Sequence, residues 1–171
     1  MISKKLVKKF NTLLKKENLK IFCGESITAG LLASTIASVP GASSVLAGSI
    51  VTYDKRVKTA VLGVDKDILA RYTAESQETT TAMCYGLEQC FPDAGLYVAV
   101  TGTASASVNS YEVGAPIGHV FIAILYKGLY EFHTNLSAGK ARDKRNAIRE
   151  EAVKLIIQEI TNLIQSKKLD K

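Results

Sequence analysis

The chain has 171 residues, 47% of them hydrophobic and 22% charged, with a net charge of +6. This is an ordinary soluble composition, long enough for one domain over residues 1–171 with a proper core. No apolar run is long enough to cross a bilayer and the start lacks the apolar block of a signal peptide, so no membrane association and a cytoplasmic location are expected.

Residues 2–17 place Ile2, Leu6, Val7, Phe10, Leu13 and Leu14 at helical spacing with lysines between them, which predicts a basic amphipathic helix packed on the core. The positive charge crowds the two ends, at Lys4, Lys5, Lys8, Lys9, Lys15 and Lys16, then at Lys167, Lys168 and Lys171, with little aromatic interleaving. A solvated helix face explains that pattern better than nucleic acid does.

The stretch from Leu19 to Ser38 then reads as strand, loop, helix: Leu-Lys-Ile-Phe-Cys, a turn Gly24-Glu25-Ser26-Ile27-Thr28-Ala29-Gly30, and a helical run stopped by Val39-Pro40-Gly41. Ser26 and Thr28 at the helix mouth suit either an anion or oxyanion, held by the positive helix end, or ordinary capping of the first N–H groups. The turn is neither a P-loop nor a Gly-x-Ser-x-Gly elbow. A strand over Ala47–Tyr53 follows, then a helix capped by Asp54 and stopped by Gly63, a short helix over 65–72, and a longer one capped by Ser76 reaching about Cys90. Leu96–Val100 is a dense apolar strand, Thr101–Pro116 a long polar loop, Gly118–Leu136 a hairpin around Lys127-Gly128, and about 143–165 a final helix. This alternation predicts a three-layer α/β/α sandwich with a mixed sheet.

Cys23, Cys84 and Cys90 show no paired spacing and are expected as buried reduced thiols. No metal site is expected, since His119 and His133 lie far from any cysteine pair.

Ligands of α/β sheets gather beyond the carboxyl ends of the strands, here at the loops 24–30, 53–58 and 101–116. Lys58 sits about one turn into its helix, whose positive end disfavours a second charge, so its pKa is expected to fall toward that of a base. Ser-Lys pairs activate serine nucleophiles, and Ser26, Lys58 and Tyr53 could form one hydrogen-bonded cluster. Arg145 and Arg149, four residues apart at the start of the last helix, suit an anion such as phosphate or an ordinary solvated run.

Glu25-Ser26-Ile27-Thr28-Ala29-Gly30, Val51-Thr52-Tyr53 followed by Lys58, Leu62-Gly63-Val64, Thr101-Gly102, Pro116-Ile117-Gly118 and Arg145 to Arg149 together resemble the CinA C-terminal domain family, the nicotinamide-nucleotide amidases also called PncC. The resemblance covers nearly the whole chain and implies the stand-alone form, without the MoaB-like domain of longer members. It implies hydrolysis of nicotinamide mononucleotide to nicotinate mononucleotide and ammonia, as in pyridine nucleotide salvage. Ser26 would be the nucleophile, with Lys58 and Tyr53 handling its proton. Glu25, Thr28, Gly30, Thr101, Gly102 and Arg145 would shape the substrate pocket, with Arg145 on the phosphate and backbone N–H groups near Ser26 or Thr101-Gly102 on the oxyanion. No metal or organic cofactor is implied, and family members often pair as homodimers.

The family's pattern is altered at several positions. Ile27 stands for its cysteine, Ala29 for its second glycine and Ala115 for a lysine. The glycine loop reads Ala104-Ser105-Ala106-Ser107-Val108-Asn109, which gives up the freedom of glycine. A diverged nucleotide-binding protein with little turnover is therefore the second reading, and a DNA-associated competence factor the third.

Overall fold

The computed structural model describes residues 2–106 and 114–169, the last three of these by backbone alone, so the expected loop positions Ser107, Val108 and Asn109 lie outside the described residues, as do the side chains of Lys167, Lys168 and Lys171. Among the described residues six helices and five strands follow the predicted order: α1 (Lys4–Lys16), β1 (Lys20–Glu25), α2 (Leu31–Ala37), β2 (Leu46–Val51), α3 (Lys55–Leu62), α4 (Lys66–Tyr72), α5 (Gln77–Cys90), β3 (Gly95–Gly102), β4 (His119–Leu125), β5 (Leu129–Asn135) and α6 (Lys144–Leu169). A short 3-10 turn at Ala42–Ser44 was not expected from the sequence.

The strands form one mixed sheet in the order β2-β1-β3-β4-β5. β1 runs parallel to both β2 and β3, while the β4–β5 hairpin adds two antiparallel strands. One face buries Ile21, Cys23, Val98, Val100 and Ile122 against Phe10 and Leu14 of α1, Leu32 and Ile36 of α2, and Ile156 and Ile160 of α6. The other face buries Tyr97, Ala99 and Ala123 against Leu62, Met83, Cys84 and Leu87 of α3 and α5. Three layers result, the α/β/α sandwich with a mixed sheet expected above. β3, in the middle of the sheet, is covered on both sides, which is why it is an apolar run, whereas the edge strand β2 is only half-buried.

The helix boundaries have local causes. Asp54, Ser76 and Asp65 each accept a backbone N–H at the first turn of α3, α5 and α4. Gly63 ends α3 at φ 65°, a left-handed conformation that costs glycine little. Gly86 lets α5 cross the end of α3 closely, since a Cβ there would stand 2.0 Å from the carbonyl oxygen of Leu62.

Registration of the parallel strands sets up the site. Glu25 pairs with Val51 on one side and Val100 on the other, so β1 and β2 end level while β3 runs two residues further. The ladder runs one residue further: Thr52 N–H donates to the Glu25 carbonyl at 2.8 Å and Ser26 N–H to the Val100 carbonyl at 3.0 Å. Ser26, Thr52 and Thr101 thus lie side by side at the carboxyl edge of the sheet. No helix among the described residues is long and apolar enough to cross a membrane.

Cys23 and Cys84 are buried, and burial raises both thiols, Cys84 to about 12. Cys90 corrects the expectation: it is exposed, at the last residue of α5, with its Sγ 3.4 Å from the Val61 carbonyl. Among the described residues no cluster of His, Cys, Asp and Glu could hold a metal.

Candidate active site

A cavity of about 810 Å³ opens at the carboxyl edge, lined by the loops after β1, β2 and β3, the start of α6, and Glu75. Its lining includes Ser26, Tyr53, Gly102, Thr103, Ser105 and Arg145.

Ser26 is 8% exposed and Lys58 only 1%. Lys58 reaches back from the second half of the first turns of α3 under the strand ends, where its Nζ is 3.0 Å from Ser26 Oγ and also donates to the Thr52 carbonyl. An ammonium at such depth loses most of its hydration. Burial accordingly lowers the Lys58 pKa from 10.5 to about 8, with Glu75 and then Asp54 pulling the other way. The expected fall is present, and burial rather than the end of α3 is its leading cause.

Tyr53 lines the same cavity but does not join that pair. It is 60% exposed, and its hydroxyl accepts from Arg145 Nη2 at 2.8 Å. Arg145 Nη1 donates to Ser105 Oγ at 2.6 Å, so one guanidinium ties the loop after β2 to the loop after β3 across the cavity. The expected three-residue cluster is therefore two contacts: a buried Ser26–Lys58 pair, and a Tyr53–Arg145–Ser105 chain at the rim.

Glu25 requires a correction. It is fully buried and faces α2, not the cavity, with Oε2 accepting from Leu32 N–H and Oε1 from Ala33 N–H, each at 3.0 Å. Ser49 Oγ adds a third bond at 2.9 Å. The residue at the cap position of α2 is Gly30, at φ 90°, which has no side chain to offer. Glu25 supplies the capping carboxylate from the strand instead, so the positive end of α2 is already occupied and neither Ser26 nor Thr28 caps it.

Three further pocket expectations are also revised. Thr28 is buried, and its carbonyl accepts from Arg149 Nη2 at 2.7 Å. Gly30 belongs to the turn into α2 and is not among the lining residues. Thr101 turns its hydroxyl toward α5, 2.7 Å from Thr80 Oγ1, while its neighbour Gly102 does line the cavity.

Sequence reasoning left the role of one residue open and missed another. Arg149, for which an anion shared with Arg145 and an ordinary solvated run were both open, does neither: it donates through Nε to the Ile27 carbonyl at 3.2 Å as well as to Thr28, so it holds the loop that carries Ser26. Glu75 enters the cavity from the α4–α5 connection. In sequence it is one more acid beside a helix cap, and no spacing rule relates it to Ser26.

The model of the CinA C-terminal domain family matches residues 3–164. The chain is 32% identical over 160 residues to a CinA-like protein of Petrotoga mobilis, covering 94% of this chain and 38% of that one. It is also 32% identical over 148 residues to a CinA-like protein of Thermotoga neapolitana, covering 86% of this chain and 34% of that one. The chain thus spans well under half the length of these relatives. Among solved structures it is similar to the competence/damage inducible protein CihA of Agrobacterium tumefaciens, with a TM-score of 0.81, 25% identity and 93% of each chain covered. A CinA superfamily protein of Klebsiella pneumoniae has the same fold, with a TM-score of 0.83 at 21% identity over 95% of this chain and 97% of that one.

Proposed function

The chain belongs to the CinA C-terminal domain family, and on that premise we propose that it is an amidohydrolase converting nicotinamide mononucleotide to nicotinate mononucleotide and ammonia. The observation that carries this reading is the 3.0 Å contact between Ser26 Oγ and the buried Lys58 Nζ at the floor of an open cavity whose rim carries Arg145. A lysine near pKa 8 is an effective base close to neutrality, and a serine beside it has a place to send its proton.

In this mechanism Lys58 acts as the neutral amine. It keeps one N–H on the Thr52 carbonyl, which fixes its lone pair on Ser26, and the serine hydroxyl donates along the same contact. As Oγ attacks the carboxamide carbon, the proton passes to Nζ and the carbonyl oxygen becomes an oxyanion. The amide of Ile27, next to Ser26, takes no partner among the described residues and is a donor for that oxyanion. Collapse breaks the C–N bond, Lys58 returns the proton to the leaving nitrogen, and ammonia departs. Water then attacks the ester, giving its proton to Lys58; as the C–Oγ bond breaks, Lys58 passes that proton to Ser26 Oγ, and the carboxylic acid leaves with both residues restored. Arg145, with two of its nitrogens presented at the rim, suits the phosphate, and Tyr53 positions that guanidinium.

The site lies in a chain expected in the cytoplasm, where free pyridine nucleotides are met, and pairing of two copies is part of the same proposal. The replacement of the first of that loop's glycines by Ser105, which is tied to Arg145, favours one rival: a nucleotide-binding protein that turns over little. Ammonia release from nicotinamide mononucleotide, measured for the wild type beside Ser26→Ala, separates the two. Release by the wild type alone supports the amidase. Tight binding without release by either supports the rival.

A further inference from the structure

Glu75 lines the same cavity as Ser26, and its Oε2 accepts from Gly114 N–H at 3.3 Å. The cavity holds a second acid, Asp54, but that carboxylate is engaged by Arg56 through Nε at 3.0 Å and Nη2 at 2.6 Å. Glu75 makes no ion pair among the described residues. It is nevertheless felt at the floor of the site, where it is the leading charge acting on Lys58, ahead of Asp54.

That influence runs against the chemistry of the free enzyme. A carboxylate near Lys58 favours the ammonium and so thins the population of the neutral base. A site needing only a low lysine pKa would do better with an apolar residue at position 75, and the acid makes sense if the bound substrate brings a positive charge of its own. The carboxamide of a nicotinamide nucleotide is meta to the ring nitrogen, so when it reaches Ser26 the ring charge is a few bond lengths from the reacting carbon. The nucleotide carries a fixed cation at the ring and an anion at the phosphate. The cavity offers an acid without an ion pair among the described residues and, at its rim, the cation Arg145.

We propose that Glu75 is a specificity residue that selects a carboxamide borne on a cationic N-alkylpyridinium ring over the uncharged dihydropyridine form of the same nucleotide. The proposal rests on the amidase reading above. It concerns a residue that touches the ring and not the reacting atoms, so its signature is a change in selectivity and KM.

The experiment measures ammonia release from oxidised and reduced nicotinamide mononucleotide by the wild type, Glu75→Gln and Glu75→Asp. A reduced form that is not turned over is measured as a competitive inhibitor of the oxidised one. Glutamine keeps an acceptor for Gly114 N–H while removing the charge, and aspartate keeps the charge, so loss of anchoring and loss of charge are told apart. The preference for the oxidised form should fall about tenfold or more in Glu75→Gln, mainly through KM, as expected for one charge pair in a partly buried site, and Glu75→Asp should retain most of it. An unchanged preference in Glu75→Gln, or an equal loss on both nucleotides, would overturn the role given to Glu75 and leave the amidase standing. No ammonia from the wild type with the oxidised nucleotide would overturn the amidase reading, and this inference with it.

Discussion

Lys58→Met should abolish activity and yet spare or improve stability near neutral pH. The lysine is 1% exposed and its pKa falls from 10.5 to about 8, chiefly through burial. A drop of that size corresponds to about 3 kcal/mol of stability lost to holding the charged form inside the protein. The sign is set by the proton count. Between pH 8 and 10.5 the unfolded lysine keeps its proton while the folded one has released it, so stability rises with pH across that window. Below it both forms are charged and the native chain bears the full cost. Methionine fills similar space without charge, but it leaves the Thr52 carbonyl and the Ser26 hydroxyl without this partner, at about 1–3 kcal/mol. At pH 7 the variant should therefore match the wild type or exceed it by up to about 2 kcal/mol, and by pH 10 the comparison should move by about 2.5 kcal/mol in favour of the wild type. The raised thiols of Cys23 and Cys84 weaken both proteins alike at high pH and cancel in the difference. Urea unfolding of both proteins at the two pH values reads the effect. A stability difference that is the same at pH 7 and pH 10 would refute the view that Lys58 is desolvated in the native state.

The pH profile of ammonia release should show kcat/KM rising through a midpoint near 8, because the neutral amine is the working form; a flat profile between about pH 6 and 9 would separate Lys58 from the proton transfer. Glu25→Gln can replace at most part of a carboxylate that accepts from Leu32, Ala33 and Ser49, and should cost about 1–3 kcal/mol in chemical denaturation; no loss would mean that the cap of α2 is dispensable. Gly86→Ala reverses the usual helix rule, since the added Cβ would meet the Leu62 carbonyl oxygen at 2.0 Å; it should destabilise by about 1–3 kcal/mol, and a raised Tm would show that α5 can shift away from α3 at little cost.

What the sequence determined by itself was local. Periodicity gave the amphipathic α1 and the apolar β3, and Asp54, Ser76 and Gly63 marked helix ends because capping and left-handed turns depend on a few adjacent residues. The layer order followed from strand and helix alternation, and the spacing from Tyr53 to Lys58 pointed to the right loop. Partner choice among polar side chains was not local, and only the tertiary structure decided it. Glu25 sits beside Ser26 in sequence, but alternation along β1 sends its carboxylate to α2. Arg145 and Arg149 share a helix face, yet one spans the cavity rim and the other holds the loop of Ser26. Lys58 is an exposed-looking residue in a polar helix until the level ends of β1 and β2 bring Ser26 and the Thr52 carbonyl over it. Burial, the physical cause of its shifted pKa, is a property of the packed whole and has no signature in the residues on either side.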